Sequence, residues 1–198
     1  MQTAMPILIP PTLRCTEEQF VELVKFNPDL RWELTAQGEV MVMPPPGSET
    51  GNFNFELNTD LGTRNRQQKI GKAFDSSTGF RLPNGAIRSP DVAWIAQERW
   101  EQLSPEQRQT FAPMCPDFVL ELVSPADDLA MVQAKMQEYL ENGCRLGWLM
   151  NPETRSVTIY RPHVTPEIVT FDVVLSGEDV LLGFTLDLPQ IFGHETSP

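Results

Sequence analysis

Apolar and polar positions in the N-terminal part of the chain first follow a helical pattern and then a strand pattern. Apolar residues recur with helical spacing over 20–24, and the Thr-Glu-Glu-Gln sequence at 16–19 has the form of a capping box. Two apolar runs, at 31–34 and 40–43, then flank Gly38, which predicts an antiparallel hairpin that turns at this glycine. The chain is therefore expected to begin with a helix and a hairpin.

The next stretch favours a long helix and a second antiparallel pair of strands. Apolar residues at every fourth position predict a helix over about 49–68, with Ser48 as its cap and Gly71 at its end. The segment 73–82 is strand-like and is followed by turn chemistry. We expect it to pair with the strand predicted at 91–95.

The second half of the chain carries another helix, a hairpin and further strands. A helical pattern over 129–140 ends at Gly143, and apolar runs at 146–150 and 157–160 bracket a turn. The tail adds strand patterns at 168–175, 180–182 and 184–188. Because helices and strands are interspersed without a regular alternation, we predict a single domain over 1–198 of mixed α/β or α+β class. A central mixed β-sheet flanked by helices is expected, with an extra N-terminal helix and hairpin and extra C-terminal strands.

The sequence PDFVLELVSP at 116–125 is the most informative stretch of the chain. An apolar run bounded by prolines is typical of a buried strand, and buried strands seldom carry a carboxylate. If its side chains alternate, Phe118, Leu120 and Leu122 line one face, and Glu121 lies between two valines on the other. A carboxylate in that position needs a cation, so Glu121 is the first candidate functional residue.

Asp91 and Lys135 are the two residues that complete a candidate site with Glu121. From Ser124 back to Glu121 a strand covers about 10 Å, and from Asp128 forward to Lys135 a helix covers about 10 Å. Lys135 should therefore lie level with Glu121. On neighbouring strands, Asp91 and Glu121 would form an oxygen site for Mg²⁺ or Mn²⁺, with the Leu122 backbone carbonyl as a further ligand.

Each of these residues also has an interpretation without function. Lys135 lies at the border of the apolar stripe of its helix, where a surface lysine can extend its ammonium into water. Asp91 could simply start a strand after Pro90, and Glu121 could form a structural ion pair with Lys135. These alternatives remain open on the sequence alone.

The net charge of the chain limits the classes of molecule that it is expected to bind. The chain has 27 acidic and 15 basic residues and a formal net charge of −12, which argues against a general nucleic-acid binder. A local basic patch remains as a candidate for binding nucleic acid, although a solvated helix face would have the same composition. Its residues are Arg64, Arg66, Lys69 and Lys72.

Composition also excludes several kinds of chemistry. The three cysteines are widely spaced without a Cys-x-x-Cys pair, and neither a disulfide framework nor a thiolate zinc site is supported. The two histidines, His163 and His194, lie late in the chain, which weakens a Ser-His or His-ligated metal mechanism. Apolar runs are too short for a membrane span, and the N-terminus lacks the pattern of a signal peptide. We therefore expect a cytoplasmic protein that does not bind membranes.

An ordered series of motifs resembles the Uma2 family of endonucleases, which belongs to the restriction-endonuclease-like PD-(D/E)xK superfamily. The motifs are RWEL at 31–34 with GE at 38–39, DSSTGF at 75–80, SPDV at 89–92, PDFVLELVSP at 116–125, KMQEY at 135–139 with Gly143, and WLMNP at 148–152. They cover nearly the whole chain. The resemblance implies a restriction-endonuclease-like core that hydrolyses phosphodiesters with a metal held by Asp91 and Glu121.

The chain departs from the superfamily pattern at two places. A lysine usually stands two positions after the glutamate, where this chain has Val123, and Lys135 on the following helix is the position that matches a relocated lysine. The family often has a histidine at the start of the helix after the proline run, and residues 48–52 contain none. Glu49 could contribute a carboxylate from that helix instead.

The sequence thus predicts a Mg²⁺- or Mn²⁺-dependent DNA endonuclease in which Asp91, Glu121 and Lys135 carry the chemistry. DNA is the expected partner, and whether the protein acts as a homodimer stays open. One alternative is a non-catalytic nucleic-acid or protein interaction module that keeps the nuclease fold. Another is a hydrolase that acts on a different substrate.

Overall fold

The structure is a computed structural model that describes residues 9, 10 and 12–193. The helices in this part of the chain are α1 (Glu17–Phe26), α2 (Ser48–Gln68), α3 (Gln97–Glu101), α4 (Pro105–Arg108), α5 (Leu129–Glu141) and α6 (Leu188–Phe192). The strands are β1 (Arg31–Leu34), β2 (Val40–Met43), β3 (Gly71–Asp75), β4 (Phe80–Arg81), β5 (Ile87–Arg88), β6 (Val92–Ala96), β7 (Phe118–Leu122), β8 (Leu146–Asn151), β9 (Ser156–Tyr160), β10 (Glu167–Thr170), β11 (Val174–Ser176) and β12 (Thr185–Asp187).

The largest sheet has the strand order β10-β9-β8-β7-β6-β3 and is mixed, as predicted. Strands β7 and β8 are parallel, because α5 connects them and returns the chain to the same end of the sheet. The neighbouring pairs β6–β7 and β8–β9 are antiparallel. Strand β7 therefore lies in the middle of the sheet, with a partner on each side.

Strand β7 is buried on both faces, which explains its continuous apolar sequence. Phe118, Leu120 and Leu122 pack into one hydrophobic cluster, and Val119 packs into another on the opposite face, together with Tyr139 of α5. The alternation predicted from the sequence is confirmed. Glu121 consequently points to the same face as Val119, beneath α5.

A smaller sheet, with the order β2-β1-β5-β4, packs against α1 and encloses a third cluster. Trp32 and Leu34 of β1 point into this cluster. Glu33 lies between them in an extended strand, so its side chain points to the other face. The small sheet thereby presents a carboxylate towards the large sheet and α5.

The structure confirms most of the predicted elements. The capping box at Thr16 is formed, β1 and β2 pair as an antiparallel hairpin, and β3 pairs with β6. The hairpin of β8 and β9 is also present. Within the described residues, no helix combines the length and apolar character that crossing a membrane requires.

The predicted bounds of α2 agree with the structure to within one residue, but the residues predicted to cap and to end the helix are wrong. Gly47 occupies the cap position without a side-chain bond, and Ser48 is the first helical residue. The helix closes at Lys69, whose φ of 57° is left-handed, and Gly71 begins β3 instead. A Cβ at residue 71 would collide with the Trp94 ring, so this glycine permits a close approach between strands and does not end a helix.

Four predicted strands are also corrected. The segment 73–82 divides into β3 and β4 because Asp75 accepts a hydrogen bond from the Ser77 amide and starts a turn. The segment 168–175 divides into β10 and β11. Residues 180–182 form turns, in which Val180 and Leu181 supply buried apolar surface without strand geometry. The final apolar run continues beyond β12 into α6, which the sequence pattern did not indicate.

Candidate active site

Two adjacent strands bring Asp91 and Glu121 together. Asp91 immediately precedes β6, and the register that pairs Val92 with Leu120 places Asp91 opposite Glu121 when it is extended by one residue. Residues directly opposite each other in an antiparallel pair have Cβ atoms about 4.5–5.5 Å apart on one face. The Leu122 amide donates a hydrogen bond of 2.9 Å to Asp91 Oδ2, which holds this carboxylate against the end of β7.

Lys135 of α5 lies beside this carboxylate pair. Its Nζ is 2.8 Å from Glu121 Oε1 and 2.8 Å from Glu33 Oε1. The Lys135 side chain is only 11% exposed, so it is not a lysine that extends from the helix border into water. Val123, at the position of the usual superfamily lysine, packs partly buried against the apolar cluster under α5. The structure thus places the ammonium on α5.

Glu33 is a member of the site that the sequence analysis did not single out. Its side chain is 1% exposed and accepts from the Ser89 amide at 2.9 Å and from Arg88 Nη1 at 3.1 Å, besides its contact with Lys135. The signal that identified Glu121 was present here too, since Glu33 is an acid within an apolar strand. However, Glu33 lies in a hairpin, and a hairpin strand can carry a polar face without a functional reason.

Alternating charges connect the small sheet, α5 and the large sheet. Arg88 Nε contacts Glu138 Oε2 at 2.6 Å, and its Nη1 contacts Glu33. Glu33 contacts Lys135, which contacts Glu121. Buried charges are tolerated only when they are paired. This series of ion pairs therefore fixes the relative positions of the small sheet, α5 and the large sheet. It also orients the ammonium of Lys135 towards Glu121.

The buried carboxylates differ in how far nearby positive charges and hydrogen bonds offset the cost of burying their negative charge. Burial raises the pKa of Glu121 to about 7, since attraction to Lys135 does not offset the loss of water and the repulsion from Asp91. Burial also raises the pKa of Asp91, against the Leu122 amide and Lys135. Burial acts on Glu33 in the same direction, but Lys135 and Arg88 outweigh it and lower the pKa. Negative charge is therefore least compensated at Asp91 and Glu121.

Burial alone would lower the pKa of Lys135, but Glu121 and Glu33 outweigh it and raise the pKa. Tyr139 donates a hydrogen bond of 3.0 Å to Glu121 Oε1, the same oxygen that contacts Lys135. Lys135 is therefore a charged donor at neutral pH, and Glu121 is held in place by two donors on one oxygen.

The donor set fits a hard divalent cation. The described contacts of Glu121 use Oε1, and Asp91 Oδ1 has only a distant contact of 3.8 Å, with Arg31. One oxygen of each carboxylate thus remains for a cation, and the raised pKa values indicate negative charge for it to neutralise. No group of three or more His, Cys, Asp or Glu residues in the described chain is arranged to hold a metal, so the candidate ligands are two carboxylates and a backbone carbonyl.

A cleft of about 660 Å³ opens above these residues. Its walls come from β2, from the proline run after it, and from α5, and Leu122 contributes to its floor. The α2 residues that line it are Thr50 and Asn54. Glu49 is exposed in the first turn of α2 and lies outside this lining, so the structure does not bring it to the other candidates.

Comparisons with known proteins agree with this architecture. A family model described as "Putative restriction endonuclease", Uma2, matches residues 17–189. A crystal structure from Anabaena variabilis ATCC 29413, described as a putative nuclease belonging to DUF820, superposes with a TM-score of 0.76 and covers 90% of this chain and 97% of its own. At 21% sequence identity this likeness shows the fold alone. No curated protein matches the chain. The extent of the family match confirms the resemblance seen in the motifs, and the chain belongs to the Uma2 family.

Proposed function

We propose that the protein is a divalent-metal-dependent DNA endonuclease and that hydrolysis takes place on the floor of the cleft. The observation that carries this proposal is the placement of Asp91 opposite Glu121, with the Lys135 ammonium 2.8 Å from Glu121. Membership of a family of restriction-endonuclease-like proteins supports a nuclease. The choice of metal follows from the oxygen ligands and the chemistry that they suit. The choice of DNA rests on the description of the family as a putative restriction endonuclease.

Asp91 and Glu121 would hold Mg²⁺ or Mn²⁺, which when bound polarises a phosphoryl oxygen and lowers the pKa of a coordinated water. The Leu122 amide and Tyr139 keep these two carboxylates in position through their hydrogen bonds. Lys135 supplies a fixed positive charge next to the carboxylates. It would orient the attacking water or stabilise the negative charge that develops on the phosphate.

One observation favours the non-catalytic alternative. Both described ion pairs of Lys135 are with carboxylates, at 2.8 Å each, which is also the geometry of a purely structural lysine. In that case the fold would serve as an interaction module, and the lysine would contribute to stability but not to a reaction. The two hypotheses differ in what happens to cleavage when the charge is removed.

A cleavage assay with supercoiled, linear and branched DNA tests the proposal, in EDTA and with Mg²⁺ or Mn²⁺. Glu121→Gln is nearly isosteric and should abolish metal-dependent cleavage while the protein stays folded. Lys135→Met keeps the aliphatic stem. It should still bind Mg²⁺ in calorimetry but cleave at least a hundredfold more slowly, within the range expected for a positioned catalytic group. Glu98→Gln, at an exposed position on α3, is the matched control and should behave as wild type.

The outcomes separate the hypotheses. Cleavage that persists in Lys135→Met, with only stability reduced, would assign Lys135 a structural role. Equal cleavage by wild type, Glu121→Gln and Lys135→Met would mean that the nuclease is a contaminant or acts at another site. Absence of metal-dependent cleavage with every DNA would refute the DNA endonuclease and leave the interaction module or a hydrolase of a different substrate.

A further inference from the structure

The cleft is acidic, although the proposed substrate is a polyanion. Its lining contains six carboxylates and three cationic side chains. The carboxylates belong to Glu33, Asp91, Glu121, Asp127, Asp128 and Glu138, and the cations to Arg31, Arg88 and Lys135. Each of the three cations lies within 4 Å of a carboxylate. The cleft therefore offers little positive charge with which to neutralise a row of phosphates.

Duplex DNA places a heavy demand on a binding surface. It carries one negative charge for about every 1.7 Å of its axis, and duplex-binding proteins commonly neutralise about 6–10 phosphates. The exposed basic residues Arg66, Lys69 and Lys72 lie near the C-terminal end of α2. Asn58 Nδ2 donates to the Asp91 backbone oxygen at 3.1 Å, and from Asn58 the helix runs about 12 Å to Arg66 at 1.5 Å per residue. This basic cluster lies outside the cleft lining, about two helical turns from Asp91.

The reacting groups lie at the bottom of the cleft. The side chains of Glu121, Lys135 and Asp91 are 8%, 11% and 14% exposed. A phosphate reaches them through the cleft, whose lining residues belong to β2 and α5. A volume of about 660 Å³ falls in the size range of small-ligand pockets and holds about one or two nucleotides.

The upper walls of the cleft suit a base. Met41 and Met43 of β2 and the prolines at 44–46 line one side, and Met131 and Val132 of α5 line the other. The Met131 side chain is 56% exposed although it is apolar. Methionine side chains are flexible and polarisable, and unstacked bases are commonly held between apolar side chains.

Two polar atoms in the described lining of the cleft lack a hydrogen-bond partner. Within the described residues, Arg31 Nε and Asn54 Oδ1 are buried without a hydrogen-bond partner. Buried polar atoms left unpaired are costly, so a ligand that satisfies them gains affinity. Both atoms are closed to solvent, so a ligand reaches them only after their side chains rotate. The Arg31 side chain is 30% exposed and its described ion pair with Asp91 is 3.8 Å long, so its guanidinium can turn to donate to a phosphate oxygen. A rotated Asn54 amide can bind an amino or hydroxyl group of a nucleotide.

We infer that the ligand of this cleft is an unpaired segment of DNA, either a single strand or a single-stranded flap. One phosphate lies against Arg31 and faces the carboxylate pair only across the divalent cation that this pair would hold. The adjoining unstacked base lies between Met41 and Met131. This inference rests on the proposed function and narrows its substrate class. It predicts that recognition depends on access of one or two nucleotides to the cleft and not on a charged track along the surface.

Fluorescence anisotropy in Ca²⁺ and cleavage in Mg²⁺ test the inference with three labelled DNAs of one sequence. These are a single strand, the fully paired duplex, and a duplex with a single-stranded flap. The single strand and the flap should bind at least tenfold more tightly than the duplex and should be cut within their unpaired part. Their affinity should fall only weakly with salt, since few phosphates are neutralised.

Matched variants locate the ligand. Met41→Ala with Met131→Ala should weaken single-strand binding about tenfold while Mg²⁺ binding in calorimetry is unchanged. Ile168→Ala removes an apolar side chain of β10 that is 71% exposed, at the edge of the large sheet, and should leave affinity as in wild type. Arg66→Gln with Lys72→Gln should also leave it unchanged. A large loss of affinity in this last variant would place the DNA along α2 and overturn the inference.

Binding and cleavage decide separate questions. Equal affinity for the single strand and the duplex overturns the unpaired ligand, even when metal-dependent cleavage confirms an endonuclease. Selective single-strand binding that is lost in the methionine variant, without cleavage of any DNA, supports the ligand and refutes the reaction.

Discussion

Replacing Glu121 by Gln should change how the stability of the metal-free protein depends on pH. Burial raises the pKa of Glu121 from 4.5 to about 7. The folded state then binds this proton more tightly than the unfolded state does. The stabilisation from the protonated carboxyl is fully present below pH 4.5 and is lost as the pH rises through about 7.

The size of the effect follows from the two pKa values. Each tenfold difference in proton affinity corresponds to about 1.4 kcal/mol, and the free energy of unfolding should fall by about 3 kcal/mol across this range because of Glu121. For a protein of this length, about 2–4 °C in melting temperature accompanies each kcal/mol. The difference in melting temperature between wild type and Glu121→Gln should therefore change by roughly 6–12 °C between pH 4.5 and pH 7.

Urea unfolding in EDTA at several pH values between 4.5 and 8 provides the measurement. The difference between wild type and Glu121→Gln reports this carboxyl together with its coupling to Asp91, Glu33 and Lys135, because more distant groups titrate alike in both proteins. Glu98→Gln should follow the wild-type curve, since residue 98 is exposed. Added Mg²⁺ should flatten the wild-type curve above pH 6, since a cation that binds the ionised site stabilises the folded state.

Parallel stability curves for wild type and Glu121→Gln would refute this reasoning. They would mean that the pKa of Glu121 is the same in the folded and unfolded states, because Lys135 fully offsets the effect of burial. The carboxylate pair would then not be short of positive charge.

Three further changes test the packing and charges around the cleft. Lys135→Met should lower the free energy of unfolding by about 3–5 kcal/mol at pH 7 in urea, because it leaves Glu33 and Glu121 buried without their shared cation; an unchanged midpoint would contradict the buried pairing. Glu33→Gln removes one carboxylate partner of Lys135 and should lower kcat, while the Mg²⁺ affinity measured by calorimetry changes little. A variant with the same kcat as wild type would show that Glu33 does not position the lysine. Gly71→Ala should cost about 1–3 kcal/mol in thermal unfolding, since the added Cβ meets the Trp94 ring; Mg²⁺ affinity should not change.

The sequence by itself determined those elements whose signals are local. A capping box, a glycine turn and an alternating buried strand act over a few residues, and Thr16, Gly38 and the strand around Glu121 were therefore predicted correctly. Local signals failed where tertiary packing used an apolar residue or a glycine for another purpose. Val180 and Leu181 fill the core from a turn, and Gly71 makes room for Trp94.

The candidate site likewise has a part that the sequence predicted and a part that only the tertiary structure determined. Counting along β7 and α5 placed Lys135 level with Glu121, because one short connection fixes their relative height. No spacing in the sequence relates Glu33 to Lys135, since they lie on elements that meet only when the small sheet docks beside α5. That docking also forms the apolar walls of the cleft and buries the carboxylates, which raises the pKa of Glu121. Residue types and local periodicity are properties of the chain, but desolvation and the distance between charges arise only from the packing of distant segments.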